Sequence, residues 1–287
     1  MQRIIAVHTM KGGAGKSTVT VIAASYLAYV ARRSVVIIDA DPPQYSVSAL
    51  RNREIESYSR LVRAYTAIGD LALIEPGLAT TTDKAMFRRL AYNLDNAITE
   101  DSLYKIFQTN PSSLSGVNFS TYPLDYVFLD MAGRQQESII DALIKASLIL
   151  IPFTTQQIDI NASISYCVSL IQQHKAGRID LSRRQLVCFW NKHKFFYDKA
   201  AAILEEQILN LFNEVGLAVS FMKNRLPDAD TGFDQHKMFT TVSSPFVQEG
   251  GNYLYAVEQF IIEMCGLLGD VVTATIAEPV RKSINSR

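Results

Sequence analysis

Excess charge of one sign is missing from this chain. Lys plus Arg number 28 and Asp plus Glu number 28, so the formal net charge is zero. A neutral chain is not a globally basic nucleic-acid binder, although a local basic surface remains open to it. Cysteine is scarce. Cys167, Cys188 and Cys265 are scattered, and no C-x-x-C pair occurs. This argues against a disulfide framework, a zinc knuckle and a cysteine-ligated iron–sulfur site, and it suits a reducing cytoplasm. Long apolar runs are also lacking. Nothing approaches the roughly 18 uninterrupted apolar residues of a membrane-spanning helix, and the run from Ser147 to Phe153 is only strand-sized. The opening residues, Met1 to Val7, are too short an apolar stretch for a signal peptide. The expectation is a soluble, cytoplasmic protein, peripheral to a membrane at most. There is no internal repeat and no low-complexity linker, so residues 1–287 read as a single domain with a flexible tail at 278–287. At 48% apolar and 20% charged, the composition is that of a folded chain with a large core.

The order of apolar runs is informative. Ile4 to His8 reads as a buried strand, Ser17 to Ala31 as a helix, and Val35 to Ile38 as a second buried strand ending at Asp39. Strand, loop, helix, strand is a βαβ unit, which implies a parallel sheet. Tyr126 to Leu129, Leu148 to Ile151 and Leu186 to Trp190 read as further strands. Helices are expected over Glu137 to Ala146, Ile158 to Gln173, Tyr197 to Val215 and Tyr253 to Leu268. Arg51 to Pro123 is the least legible region, with a break at Asn110-Pro111-Ser112-Ser113. The fold class that follows is α/β: a mostly parallel twisted sheet flanked by helices on both faces.

Between the first strand and helix lies Lys11-Gly12-Gly13-Ala14-Gly15-Lys16-Ser17-Thr18. The general phosphate-loop pattern is G-x-x-x-x-G-K-[ST]. Gly15, Lys16 and Ser17 fit it, but the first glycine position falls on Met10, so the loop is a variant. Its physics survives the change. Gly12, Gly13 and Gly15 let successive backbone N–H groups face phosphate oxygens, and the following helix adds its positive N-terminal end. Lys16 is placed to reach the β- and γ-phosphates, and the Ser17 hydroxyl to bind Mg²⁺.

The segment Lys11 to Thr18 resembles the deviant Walker-A loop of the ParA/MinD superfamily of P-loop NTPases. The resemblance implies ATP and Mg²⁺ as ligands, with Gly12, Gly13, Ala14, Gly15, Lys16, Ser17 and Thr18 around the phosphates. It also implies that Lys11 is the signature lysine, which reaches across an ATP-sandwich homodimer to the partner's nucleotide. Asp39-Ala40-Asp41-Pro42-Pro43-Gln44 is similar to the family's D-x-D-P-Q segment, with one extra proline that displaces Gln44. By that match Asp41 orients or activates the attacking water, and Asp39 assists at the metal. Tyr126-Val127-Phe128-Leu129-Asp130, followed by Met131-Ala132-Gly133, has the form of a Walker-B strand. Asp130 would then hold Mg²⁺ through a water, and Gly133 would bring a backbone N–H toward the γ-phosphate. Asn191 and Pro227 fall where the family contacts the base, and Asn191 reads equally well as a turn asparagine.

Cargo divides this superfamily. Cluster carriers and reductases need paired cysteines, the kinases a tyrosine-rich tail, and the membrane-binding members a basic amphipathic tail helix. The chain offers none of these; its tail reads as frayed and polar. It does offer Lys175, Arg178, Arg183, Arg184, Lys192, Lys194 and Lys199 against Asp180 and Asp198, seven positive charges to two negative within 174–199. That segment reads as a phosphate-contacting patch or as a solvated charged face. No operator-reading helix-turn-helix is expected ahead of the phosphate loop. The expectation is a short ParA-type ATPase that binds non-specific DNA as an ATP-bound dimer and answers to a centromere-binding, ParB-like partner. It would be nucleoid-associated when bound. The alternatives are a MinD-like spatial regulator at the membrane, or a conjugation or secretion accessory ATPase.

Overall fold

The computed structural model describes residues 3–74, 103–116, 124–133, 137–193, 198–227 and 252–275. Seven strands are found there: β1 (Arg3–Val7), β2 (Val35–Ala40), β3 (Tyr104–Gln108), β4 (Tyr126–Met131), β5 (Leu148–Phe153), β6 (Gln185–Trp190) and β7 (Val219–Phe221). Six α-helices accompany them: α1 (Lys16–Tyr29), α2 (Ser46–Ile74), α3 (Glu137–Leu143), α4 (Gln157–Lys175), α5 (Asp198–Asn213) and α6 (Asn252–Leu267). The strands form one sheet in the order β3-β2-β4-β1-β5-β6-β7, and every neighbouring pair is parallel.

The inner strands are buried on both faces, and their side chains alternate between two cores. On β4, Val127, Leu129 and Met131 enter one core, while Tyr126 and Phe128 enter the other. On β5, Ile149, Ile151 and Phe153 face the first, and Leu148 and Leu150 the second. Residues of α3, α4 and α5 complete the first core; those of α1 and α6, with Val47 of α2, complete the second. This period-two alternation with both faces covered explains why the strands read as unbroken apolar runs. Pro152 sits inside β5 opposite Phe189. It faces the side where β1 has already ended, at His8 N–H to Leu150 O, so its missing N–H leaves no ladder bond unmade.

Two strands escaped the sequence reading. β3 is an edge strand with Lys105 as its second residue and Phe107 52% exposed. β7 has only three residues. The illegible region begins with the long helix α2, and the expected break at Asn110 to Ser113 coincides with a 3₁₀ turn over Pro111–Gly116. The tail at 278–287 lies outside the described residues.

Candidate functional site

Strand order determines where chemistry gathers. From β1 the chain crosses to β2 on one side, and later from β4 to β5 on the other. In an open parallel sheet a crevice forms at such a reversal, beyond the carboxyl ends of the strands. The loop after β1 lies in that crevice. Asp39 and Asp130 are direct neighbours in the β2–β4 register. Asp159 begins the helix after β5, and Asn191 follows β6.

Gly15 caps α1 from a left-handed conformation, with φ 88°, and no side chain bonds the helix N-terminus. The first N–H groups of α1 are therefore free for an oxyanion. A Cβ on Gly15 would also stand 2.2 Å from Asn191 Nδ2 and would be strained at this positive φ, so glycine suits the position. Asn191 is buried, and its Nδ2 donates to Ala14 O at 2.9 Å. It thus ties the loop after β6 to the phosphate loop, and of its two readings a structural tie is visible. Pro227 is nearby, bridged to His193.

Lys16 is buried, and its ammonium donates to Lys11 O at 3.0 Å. Burial lowers its affinity for a proton, while Asp130 and Asp41 oppose that shift. The Ser17 hydroxyl donates to Asp130, with its oxygens at 2.8 and 3.0 Å. Asp130 is pushed up to about 7, chiefly by burial; Ser17 pulls it down and Asp39 adds repulsion. Asp39 is fully buried, and burial raises it too. Its Oδ2 accepts from the Ser48 N–H at 2.8 Å, and its Oδ1 has no hydrogen-bond partner. Asp41, half-buried at the mouth, stands within electrostatic reach of Lys16.

A buried acceptor without a donor, beside a second carboxylate and a hydroxyl, asks for a cation. Ser17, Asp130 and Asp39 therefore fit Mg²⁺. Among the described residues no cluster of three or more His, Cys, Asp or Glu side chains forms a cage. Mg²⁺ needs none, since it keeps waters and substrate phosphates around one or two carboxylates. Space for the phosphates is present as well, because a Cβ on Gly12 or Gly13 would meet nothing within 4 Å.

Gly133 closes the other side. A Cβ there would lie 2.9 Å from Met10 O and 3.0 Å from Lys16 Nζ, so only glycine lets the backbone after β4 approach the loop. Two residues at the site carried no sequence signal. Asp159 receives the Lys11 ammonium at 3.1 Å and the Thr154 hydroxyl at 2.8 Å. Lys11 is thus held against α4. His8, at the end of β1, is the second.

The basic segment does not form one surface. Lys175, Arg178, Arg183 and Arg184 precede β6, at the amino-terminal edge of the sheet, while Lys192 and Lys199 follow it at the edge that carries the phosphate loop. Lys192 lies eight residue steps after Arg184, roughly 26 Å at about 3.3 Å per strand residue. Arg178 pairs with Glu137 at 3.9 Å and Arg183 with Asp180 at 2.9 Å. Lys192 is exposed with φ 53°, Lys199 is exposed, and Lys194 lies outside the described residues.

A family model described as an AAA domain matches residues 2–181. A search of curated protein sequences finds no significant match. Among solved structures, the chain is similar to the septum site-determining protein MinD complexed with Mg-ADP from Pyrococcus horikoshii OT3, at TM-score 0.55 and 15% identity, covering 94% of this chain and 98% of that one. It is similar to the cell division ATPase MinD of Pyrococcus furiosus at TM-score 0.52 and 18% identity, covering 93% and 100%. It is also similar to a ParA family ATPase from Chlorobium tepidum TLS at TM-score 0.54 and 14% identity, covering 91% and 99%. At such identities these likenesses speak for the fold, while the family match spans most of the chain and includes the loop, both carboxylate strands and Asp159. The chain belongs to the AAA-domain family of P-loop ATPases, and it has the fold of the MinD and ParA-family ATPases.

Proposed function

We propose that this protein is a Mg²⁺-dependent ATPase that forms an ATP-sandwich homodimer, binds DNA without sequence preference and partitions a plasmid or chromosome. The observation that carries the reading is the paired lysines of one phosphate loop. Lys16 is buried beside Asp130, whereas Lys11 is held only by an ion pair at the loop's outer edge. Lys16 serves its own subunit's phosphates. Lys11, once released from Asp159, is long enough to serve the partner's.

The reaction is phosphoryl transfer to water, which proteins promote by positioning and charge stabilisation. Mg²⁺, when bound, would supply positive charge to the transferring phosphoryl group. Ser17 and Asp130 would hold that ion, and Asp39 would support it with its unpartnered oxygen. Asp41 orients the attacking water and accepts its proton. The N–H groups of Gly12 to Thr18 cradle the phosphates. A ParB-like adaptor stimulates turnover, which is slow without it. Lys16→Ala is expected to abolish nucleotide binding or turnover. Lys11→Ala should bind ATP as a monomer yet fail to dimerise, as read by light scattering; a normal ATP-dependent dimer would defeat the sandwich.

The test of the cargo is DNA binding with ATP, with ADP and without nucleotide, at two salt concentrations. Tight, salt-sensitive binding with ATP alone supports partitioning. Dimerisation with ATP but no DNA binding in any state would move the cargo to a membrane or a protein complex.

A further inference from the structure

His8 is a buried histidine at the end of β1 with both ring nitrogens engaged. Nε2 lies 3.0 Å from Ala132 O, and Nδ1 lies 2.8 Å from the Tyr166 hydroxyl. A carbonyl only accepts, so Nε2 carries the proton. Nδ1 then accepts, and Tyr166 donates to it. This tautomer is stable at neutral pH. Burial, with the Lys16 charge in support, pushes His8 down to about 4, and burial holds Tyr166 far above its ordinary value. The pair is neutral and directional, and it joins three elements: β1, the backbone after β4, and α4.

The Ala132 carbonyl belongs to the same planar peptide as the Gly133 N–H. In a trans peptide these two groups point in opposite directions. By gripping the carbonyl, His8 turns the Gly133 N–H away from itself. A Cβ on Gly133 would meet Met10 O, the Lys16 ammonium and Thr9 O, so this stretch of backbone runs close beside the phosphate loop. Lys16 is the group that meets β- and γ-phosphates in phosphate loops. An apolar side chain at position 8 would fill the same space but would leave the peptide plane free to rotate and a buried carbonyl without a donor.

We propose that His8, backed by Tyr166, is a positioning residue that fixes the Ala132–Gly133 peptide so that its N–H is presented to the terminal phosphate, and that this grip makes the site distinguish ATP from ADP. The inference rests on the reading of this site as an ATPase. Its energetic consequence is specific. ADP has no terminal phosphate to receive the N–H, so the grip counts for ATP and for the transition state and not for ADP.

The experiment uses the full chain with Mg²⁺ and four proteins: wild type, His8→Leu, His8→Gln and Tyr166→Phe. Affinities for ADP and for a non-hydrolysable ATP analogue are measured alongside single-turnover phosphate release. His8→Leu is expected to bind ADP within about twofold of wild type. Its preference for the ATP analogue and its rate of phosphate release should each fall about tenfold, the size of one positioned hydrogen bond. His8→Gln keeps a donor and an acceptor and should recover most of both. Tyr166→Phe should fall between them. Unchanged nucleotide preference and rate in His8→Leu, with only a lowered Tm, would reduce His8 to a packing residue and overturn the proposal. If His8→Leu does not fold, wild-type nucleotide preference and phosphate release in Tyr166→Phe overturn it equally. Failure of the wild type itself to bind either nucleotide would overturn the ATPase reading, and this inference with it.

Discussion

At the scale of single residues, the site contrasts side chains announced by motif with side chains placed by fold. Lys16, Ser17 and Gly15 are adjacent in sequence and act together, so a local pattern reveals them. Asp39 and Asp130 are far apart, yet each closes an apolar run, and the parallel register makes them neighbours. His8 and Asp159 have no such signal. The partner of His8 is 158 residues away, and Asp159 is one acidic residue at a helix start. Nothing local distinguishes them from solvated residues. Their burial has a measurable consequence for His8, which faces Tyr166 on α4 and Lys16 on α1. Its folded value of about 4 lies below the ordinary 6.5, so between these pH values the unfolded chain binds a proton that the folded chain does not. Stability therefore falls as pH drops from 6.5 toward 4, by roughly 3 kcal/mol at about 1.4 kcal/mol per unit. The pH dependence of unfolding in urea should flatten by about that amount in His8→Gln. An unchanged slope would mean that the imidazole is solvated.

At the scale of elements, legibility followed burial. Each strand enclosed by neighbours was readable from its apolar run, because both of its faces meet helices. The edge strand β3 was not, since Lys105 and exposed Phe107 break the pattern that a covered strand would need. Helix α2 was hidden for a related reason. Its second turn is the polar run Arg51-Asn52-Arg53-Glu54, and of these Arg51 is buried, donating to Tyr104 O at 3.1 Å and stacking on the Tyr104 ring. A buried arginine serving the edge strand looks in sequence like a surface charge. The junction of α5 with β6 rests on another polar connection. Trp190 Nε1 donates to Glu205 Oε1 at 2.6 Å, and Arg225 donates to the same oxygen at 2.9 Å. Glu205→Ala would strand a buried indole N–H and remove one partner of Arg225, a cost of about 1–3 kcal/mol. In a domain of this size that is a fall in Tm of roughly 2–4 °C per kcal/mol. Glu205→Gln keeps the acceptor and should lose less. Equal losses in the two variants would assign the effect to charge rather than to the indole.

At the scale of the whole molecule, the sheet separates the basic residues that the sequence had grouped. One set lies at the amino-terminal edge, where Glu137 and Asp180 neutralise Arg178 and Arg183. The other, Lys192 and Lys199, lies at the edge that bears the phosphate loop. If ATP promotes DNA binding by joining two subunits, the DNA surface is created or completed at their junction. In a sandwich joined through phosphate loops, the loop-bearing edges approach each other and the amino-terminal edges point apart. Lys192 and Lys199 from two subunits can then form one basic track, whereas Lys175 gains no neighbours. A phosphate contact contributes about 0.9 to the salt slope of binding. A Lys192→Ala/Lys199→Ala variant, which removes up to four contacts per dimer, should lower the slope by roughly 3 to 4 and weaken binding by more than tenfold at low salt. Lys175→Ala should leave both near wild type. These lysines lie outside the nucleotide machinery, so basal ATP hydrolysis should persist in each variant. The reverse pattern, with Lys175 needed and Lys192 and Lys199 dispensable, would place DNA on the opposite edge. ATP would then have to act through a change within each subunit rather than by joining two surfaces.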